Sequence, residues 1–207
     1  MLASAGVKKI SVGVLGSGRG SNLRAILEAC KNPDFPARVV IVLSDLADSG
    51  CLQIAREHGI AARYIAPGKF RTKLEPETES QYAAALCEAG VELVVLAGYM
   101  RMVKEPLLQP FAGRIINIHP SLLPAFPGLD AWKQALSASA KVTGCTVHFV
   151  DEGMDTGKVI LQAQVPVLVN DTPEILHARI QKEEHRIYPE AIRLFAENRL
   201  PSAAVKY

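Results

Sequence analysis

An α/β fold is predicted by three features of this amino-acid sequence. Short apolar segments rich in β-branched residues alternate with amphipathic segments over the first hundred residues, which is typical of parallel strands joined by helices. A glycine-rich turn follows the first apolar segment, where a strand would pass into a helix. Two consecutive strand candidates and a long helical segment occupy the last third, and they predict antiparallel pairing at one side of the sheet and a long C-terminal helix.

The first unit combines a strand at residues 10–15, the turn GSGRGSN at 16–22, and a helix that begins near Leu23. Further strands are predicted at residues 38–44, 62–65, 93–97, 114–118, 143–150 and 159–167. Further helices are predicted at residues 52–58, at 76–89 before Gly90, and from Asp171 or Thr172 onward. This order predicts a Rossmann-like, mostly parallel twisted sheet with helices on both faces and ligands at the carboxyl ends of its strands.

Length and composition fit one ordinary globular domain. The 207 residues are 49% hydrophobic and 21% charged, which argues against a disordered, fibrous or membrane protein. The formal charge of +2 includes no long run of one sign, so neither nucleic acid nor a membrane is an expected partner. The four cysteines lack the spacing of a zinc site, and the first ten residues lack an apolar signal segment. We therefore expect a cytoplasmic protein without a metal.

The turn at residues 16–22, here called the glycine loop, is the first candidate site. Its glycines allow a close backbone approach, and the N–H groups at the start of the next helix favour an anion. Ser21 stands where a dinucleotide fingerprint needs its third glycine, and the Gly-Lys-Ser/Thr ending of a P-loop is missing. A phosphate monoester is therefore the expected ligand, and a tight turn without a binding function is the alternative.

Asn117 and His119 form the second candidate site, at the end of a predicted strand and directly before a proline-rich loop at residues 120–127. Alternate residues of a strand point to the same face, so the amide and the imidazole converge. An amide donor can stabilise an oxyanion, and a histidine can donate a hydrogen bond or exchange a proton near neutral pH. A structural hydrogen-bonded pair is the alternative.

The third candidate is the acidic loop DEGMDTG at residues 151–157, which contains Asp155. It lacks the alternating carboxylates and the distal glutamate of an EF-hand, so a metal site is not expected. Solvated carboxylates in a hairpin loop are the alternative. His148 in a strand and the pair Gln181 and Glu184 on one helical face are weaker candidates, for which structural roles are the common explanation.

Residues 10 to about 200 resemble the folate-dependent phosphoribosylglycinamide formyltransferases of purine biosynthesis. Five motifs occur in the family's order, namely SGRGSNL at 17–23, VVLAGYMRMV at 94–103, GRIINIHPSLLPAFPG at 113–128, VTGCTVHFVDEGMDTG at 142–157 and QKEEHRIYP at 181–189. The segment at residues 67–79 matches the family poorly, so any ligand contact there is open.

The resemblance implies roles for particular residues. The implied catalytic residues are Asn117, His119 and Asp155. The implied phosphate- and ribose-binding residues are Gly20, Ser21, Asn22, Gln181 and Glu184. The implied folate-binding residues are Tyr99, Met100, Arg101, Met102, Val103, Arg114, Val150, Asp151, Glu152, Gly153 and Met154.

The reaction implied by the resemblance transfers the formyl group of 10-formyltetrahydrofolate, a co-substrate, to the amino group of glycinamide ribonucleotide in de novo purine biosynthesis. The amine attacks directly, Asn117 and His119 stabilise the oxyanion, and Asp155 supports them. The chain is expected to be one formyltransferase domain, with the phosphate-substrate half at residues 1–100 and the catalytic and folate half at 101–200. Its partners are the two small-molecule substrates, and the sequence is compatible with a homodimer.

Two groups of alternatives stay open at this point. Formyltransferases that act on methionyl-tRNA or nucleotide sugars, and formyltetrahydrofolate hydrolase, share the Asn-x-His and Asp chemistry. A nicotinamide-dependent oxidoreductase or a non-catalytic nucleotide-binding module could use the same sheet. Asp45, after the second predicted strand, could then mimic the acid that binds a dinucleotide ribose, although aspartate is common at strand ends.

Overall fold

The computed structural model describes residues 8–200 and 205–206. The strands are β1 (Ile10–Leu15), β2 (Ala37–Ser44), β3 (Ala61–Tyr64), β4 (Leu93–Leu96), β5 (Ile115–His119), β6 (Val142–Phe149), β7 (Val159–Pro166) and β8 (Val205–Lys206). The helices are α1 (Ser21–Cys30), α2 (Gly50–Glu57), α3 (Pro76–Glu88), α4 (Glu105–Leu108), α5 (Ala131–Ser137) and α6 (Pro173–Ala196).

All the strands belong to one sheet in the order β3-β2-β1-β4-β5-β6-β7-β8. Strands β1 to β5 pair in parallel, and β6 runs antiparallel to both β5 and β7. The predicted Rossmann-like sheet with antiparallel pairing near the C-terminus is therefore confirmed. From β1 the chain adds β2 and β3 on one side of the sheet, and β4 and β5 then follow on the other side. In open α/β sheets, ligands bind in the crevice at the carboxyl ends of the two strands where this change of side occurs, here β1 and β4.

Apolar side chains cover both faces of the sheet. On one face, Val12 and Val14 of β1 belong to the same buried cluster as Leu23 of α1 and Ile187 of α6. On the other face, Val94 of β4 clusters with side chains of α3 and α4. Tyr188 connects α6 to the sheet. Its buried hydroxyl lies 2.9 Å from the carbonyl oxygen of Leu96 in β4 and 3.1 Å from that of Ile116 in β5.

The helix boundaries follow the signals in the sequence. Thr172 is the N-cap of α6, and its side chain accepts a hydrogen bond from the backbone N–H of Ile175. Gly90 follows α3 with a φ of 64°, as expected for the residue after a helix. Helices α4 and α5 are not predicted, since four- and seven-residue helices carry too little periodicity to be recognised. Among the described residues, none of the helices combines the length and the apolar character of a membrane span.

Candidate active site

The main cavity has a volume of about 350 Å³ and lies at the carboxyl ends of β4 and β5. Asn117, His119 and Asp155 all line it, together with apolar side chains such as Tyr99 and Leu129. The strand alternation explains the first pair, because residues 117 and 119 share one face of β5. The structure thus brings together the three side chains that the resemblance singled out.

His119 is the most constrained member of this group. Its Nδ1 lies 3.3 Å from Oδ2 of Asp155, and its Nε2 lies 2.9 Å from the carbonyl oxygen of Phe126. The side chains of His119 and Asp155 are only 6% and 12% exposed, so water screens their interaction weakly. Both ring nitrogens therefore face oxygen atoms that accept hydrogen bonds, so the two contacts fix the orientation of the ring.

Asn117 is held by His148, its partner across the antiparallel pair β5 and β6. Nε2 of His148 lies 3.3 Å from Nδ2 of Asn117, and Nδ1 of His148 lies 2.8 Å from the carbonyl oxygen of Phe149. Burial lowers the pKa of His148, so the ring is neutral and carries its proton on Nδ1. Its Nε2 accepts one amide hydrogen of Asn117, which leaves the second amide hydrogen for a ligand.

The acidic loop presents Asp155 through its backbone conformation. Asp151 closes the loop, because its Oδ1 accepts hydrogen bonds from the backbone N–H of Gly153 and the hydroxyl of Thr156. Asp155 has a φ of 55°, in the left-handed region that aspartate tolerates better than most residues. Its Oδ2 also accepts the backbone N–H of Gly128 at 2.9 Å, so Asp155 is not a solvated carboxylate.

Most of the folate-binding candidates line the main cavity. They are Tyr99, Met100, Arg101, Met102, Val103, Val150, Asp151, Gly153 and Met154. Glu152 instead lines a second cavity of about 260 Å³, beside Glu79 and Lys104. Arg114 lines neither cavity, because it precedes β5 at the amino end of that strand. Its guanidinium donates to the Pro110 carbonyl oxygen and lies over the Phe111 ring.

The phosphate and ribose candidates lie where the glycine loop enters α1. Gly20 is the N-cap of α1 with a φ of 81°, and a Cβ atom there would lie 2.5 Å from Cδ1 of Ile54. Asn22 donates from Nδ2 to Oε2 of Glu184 at 3.0 Å, and its buried Oδ1 has no hydrogen-bond partner among the described residues. Burial raises the pKa of Glu184 to about 7. Gln181 lies one turn before Glu184 on α6 and is half-buried.

One aromatic contact beside the cavity has no signal in the sequence. Trp132 of α5 lines the cavity and stacks on His177 of α6, with ring centroids 3.8 Å apart and planes inclined by 2°. This contact fixes α5, which follows the proline-rich loop, against α6. A lone tryptophan and a lone histidine 45 positions apart give no spacing that could predict the contact.

No group of three or more metal-ligating side chains occurs within residues 8–200 and 205–206. The chemistry that the side chains themselves support is hydrogen bonding to an oxyanion and proton transfer through His119 and Asp155. An adjacent helix N-terminus, at Gly20 and Ser21, supplies the kind of site that binds a phosphate.

Comparison with known proteins identifies the family of the chain. A family model described as formyl transferase matches residues 10–192. The chain is 41% identical over 195 residues to the phosphoribosylglycinamide formyltransferase of Haemophilus influenzae, covering 94% of this chain and 90% of that protein. It is 43% identical over 188 residues to the trifunctional purine biosynthetic protein adenosine-3 of Gallus gallus, covering 91% of this chain. The chain spans only 18% of the length of that relative.

The fold agrees with these sequence matches. A crystal structure of glycinamide ribonucleotide transformylase 1 from Symbiobacterium toebii superposes with a TM-score of 0.89 at 53% sequence identity, covering 95% of this chain and 93% of that one. The family model covers every strand from β1 to β7 and both loops that carry the candidate residues. From its sequence, its fold and the extent of the family match, the chain belongs to the formyl transferase family.

Proposed function

We propose that this chain is a phosphoribosylglycinamide formyltransferase, which transfers the formyl group of 10-formyltetrahydrofolate to the amino group of glycinamide ribonucleotide. The products are formylglycinamide ribonucleotide and tetrahydrofolate, as in de novo purine biosynthesis. The observation that carries this proposal is the buried contact between His119 and Asp155, which lies beside Asn117 in a cavity next to a phosphate-type helix N-terminus. Two relatives match this chain over most of the length of both proteins, and their names support the choice of substrates.

In this proposal the glycine loop binds the phosphate of glycinamide ribonucleotide. The backbone N–H groups of Gly20, Ser21 and Asn22 lie at the N-terminus of α1, where the helix dipole favours a negative charge. Glu184 accepts hydrogen bonds from the ribose hydroxyls, and the unpaired Oδ1 of Asn22 supplies a further acceptor nearby. Gln181, one turn away on α6, contacts the phosphate.

The chemical character of the main cavity supports binding of the folate co-substrate there. Its walls combine apolar side chains, including Tyr99, Val103 and Trp132, with polar residues such as Asn117 and Asp151. A planar heteroaromatic ring needs both, since its faces are apolar and its edges form hydrogen bonds. When bound, the folate supplies the formyl carbon that the amine attacks.

Three side chains then carry the chemistry. Asn117 donates its free amide hydrogen to the formyl oxygen as negative charge develops there. His119 donates to the same oxygen, which replaces the Phe126 carbonyl as the acceptor of the Nε2 hydrogen. Asp155 stabilises the second proton on His119, which gives one proton to the leaving folate nitrogen and takes up the proton released by the amine. One C–N bond forms between the amine and the formyl carbon, and the bond from that carbon to the folate nitrogen breaks. The amine loses one proton and the leaving nitrogen gains one, so protons and charge balance.

We further propose that the work is divided within one formyltransferase domain, with phosphate binding mainly in residues 1–100 and catalysis in 101–200. We also place the protein in the cytoplasm. Two of its four cysteines, Cys51 and Cys145, are free thiols buried in the core, as expected for a chain that folds in a reducing compartment.

A product assay tests the proposal. Purified protein is mixed with 10-formyltetrahydrofolate carrying a carbon-13 formyl group and with glycinamide ribonucleotide, and the products are identified by mass spectrometry. We expect labelled formylglycinamide ribonucleotide, with no loss of formyl label when the amine is omitted. Labelled formate released at the same rate without the amine would instead identify a formyltetrahydrofolate hydrolase and overturn the proposal.

A further inference from the structure

Asp45 is a buried carboxylate that the proposed chemistry does not use. It directly follows β2, and 4% of its surface is exposed. Its Oδ1 accepts a hydrogen bond from the Ser17 hydroxyl at 2.6 Å, and its Oδ2 accepts one from Nε of Arg101 at 2.6 Å. Neither Asp45 nor Ser17 lines the main cavity. These contacts therefore do not serve to hold a ligand in the main cavity directly.

Ser17 connects Asp45 to the glycine loop. While its hydroxyl donates to Asp45, the same oxygen accepts the backbone N–H of Met100 at 3.2 Å. The backbone N–H of Ser17 also donates to the carbonyl oxygen of Gly98 at 3.2 Å. The glycine loop is thus hydrogen-bonded to residues 98–100, at the start of the segment that contains folate-binding candidates.

Arg101 connects Asp45 to the wall of the main cavity. Its Nη1 lies 2.5 Å from the carbonyl oxygen of Phe70 and 3.0 Å from that of Arg71. The backbone of Met102 adds a 2.8 Å hydrogen bond to the carbonyl oxygen of Thr72, which lines the cavity. The guanidinium therefore holds residues 70–73 against the segment 99–103, and its charge is neutralised by Asp45 alone among the contacts described.

These contacts form a chain of short hydrogen bonds from the glycine loop through Asp45 to both edges of the cavity. A buried ion pair with a purely structural role would connect a single loop to the sheet. Here one carboxylate uses both of its oxygens to join two loops that, in the proposed function, bind different substrates. A buried charge of this kind is costly unless both partners are held in place, so the ordering of one loop favours the ordering of the other.

We propose that Asp45 is a positioning residue that couples the glycine loop to the segment 99–103, so that binding of either substrate strengthens binding of the other. This inference rests on the proposed function. A ligand that restrains one loop also restrains the second loop through Asp45, and the second ligand then loses less conformational freedom on binding. By thermodynamic linkage the effect is equal in both directions.

Isothermal titration calorimetry tests the coupling. The dissociation constant of glycinamide ribonucleotide is measured with and without saturating tetrahydrofolate, which has no formyl group to transfer. For the wild-type protein we expect a tightening of about 5- to 150-fold, the usual range for coupled sites. In Ser17→Ala and in Asp45→Asn the tightening should fall below about twofold.

Asp171→Asn is the matched control. Asp171 forms an equally short ion pair with Arg179, at 2.6 Å, and neither residue lines a cavity described above. This variant should keep the wild-type tightening. Ser17→Ala keeps the ion pair but removes the hydroxyl that contacts both Asp45 and the backbone N–H of Met100, so the tightening must be lost in Ser17→Ala and in Asp45→Asn alike. An Asp45→Asn variant that keeps the tightening would assign the coupling to the direct contact between Ser17 and Met100 and overturn the role of Asp45.

The outcomes separate the coupling from the proposed function. A wild-type protein without tightening, or a Ser17→Ala variant that keeps the wild-type tightening, overturns the coupling even when formyl transfer is normal. A wild-type protein that binds the two ligands cooperatively but transfers no formyl group overturns the proposed function and leaves the coupling standing.

Discussion

Replacing Asp155 by asparagine removes one negative charge from the candidate site and changes little else. Asparagine tolerates the φ of 55° at this position, and its side-chain oxygen can still accept the backbone N–H of Gly128. What is lost is the carboxylate 3.3 Å from Nδ1 of His119. In the proposed mechanism this carboxylate stabilises the second proton of the imidazole while charge develops on the formyl oxygen.

The size of the effect follows from the distance. Two unit charges 3.3 Å apart interact by about 5 kcal/mol at an effective dielectric constant of about 20. Residual solvent and relaxation of the site reduce this value, and we take about half of it, ~2 to 3 kcal/mol, as the loss in the transition state. A factor of ten in rate corresponds to about 1.4 kcal/mol, so turnover should fall by about 30- to 140-fold.

The assay is steady-state formyl transfer from 10-formyltetrahydrofolate to glycinamide ribonucleotide across pH 6 to 9. Asp155→Asn should lower kcat far more than it raises KM for the nucleotide, whose phosphate binds elsewhere. Asp171→Asn, which removes a carboxylate from an ion pair away from the cavity, should keep kcat near that of the wild type. A kcat for Asp155→Asn within threefold of the wild-type value would refute the role given to this carboxylate.

Variants at three further positions test other parts of the structure. His148→Leu removes the side chain that accepts a hydrogen bond from Asn117, so kcat should fall about tenfold. His148→Gln keeps an acceptor and should retain more activity. Equal kinetics for the two variants would argue against this contact. Glu184 has a folded-state pKa of about 7, above its ordinary value of 4.5, so the stability from its neutral form is complete below about pH 4.5 and is lost as pH rises through 7. Glu184→Gln should therefore flatten the dependence of Tm on pH between 5 and 8, and an unchanged slope would contradict the assignment. Tyr188→Phe removes a buried hydroxyl whose single hydrogen is shared between two carbonyl oxygens, and it should lower the free energy of unfolding by about 1 to 2 kcal/mol in urea titrations. A wild-type transition midpoint would disprove this loss.

Features that depend on local periodicity could be predicted from the sequence. Asn117 and His119 share a strand face by alternation, and the glycine loop precedes a helix because glycine and the apolar spacing mark both elements. The parallel pairing of β1 to β5 follows from the alternation of strands and helices, since right-handed crossovers join such strands in a parallel sheet.

Features that depend on register or on loop conformation could not be predicted. Asp155 faces His119 only because residue 155 adopts a left-handed conformation in a loop that Asp151 closes. His148 meets Asn117 only through the register of β5 against β6, which a single strand does not reveal. Family resemblance supplied Asp155, but it did not indicate where the side chain of Arg101 points. That guanidinium turns away to Asp45 while its residue still lines the cavity.

The central claim is that Asn117 stabilises the oxyanion during formyl transfer, and the most direct measurement is a single-turnover experiment. Enzyme in excess over 10-formyltetrahydrofolate is mixed rapidly with saturating glycinamide ribonucleotide, so that the rate of the chemical step is observed apart from product release. Asn117→Ala should slow this step by about a hundred- to a thousandfold, as loss of one oxyanion donor does in other enzymes, with little change in the nucleotide dissociation constant. A single-turnover rate close to that of the wild type would contradict the account.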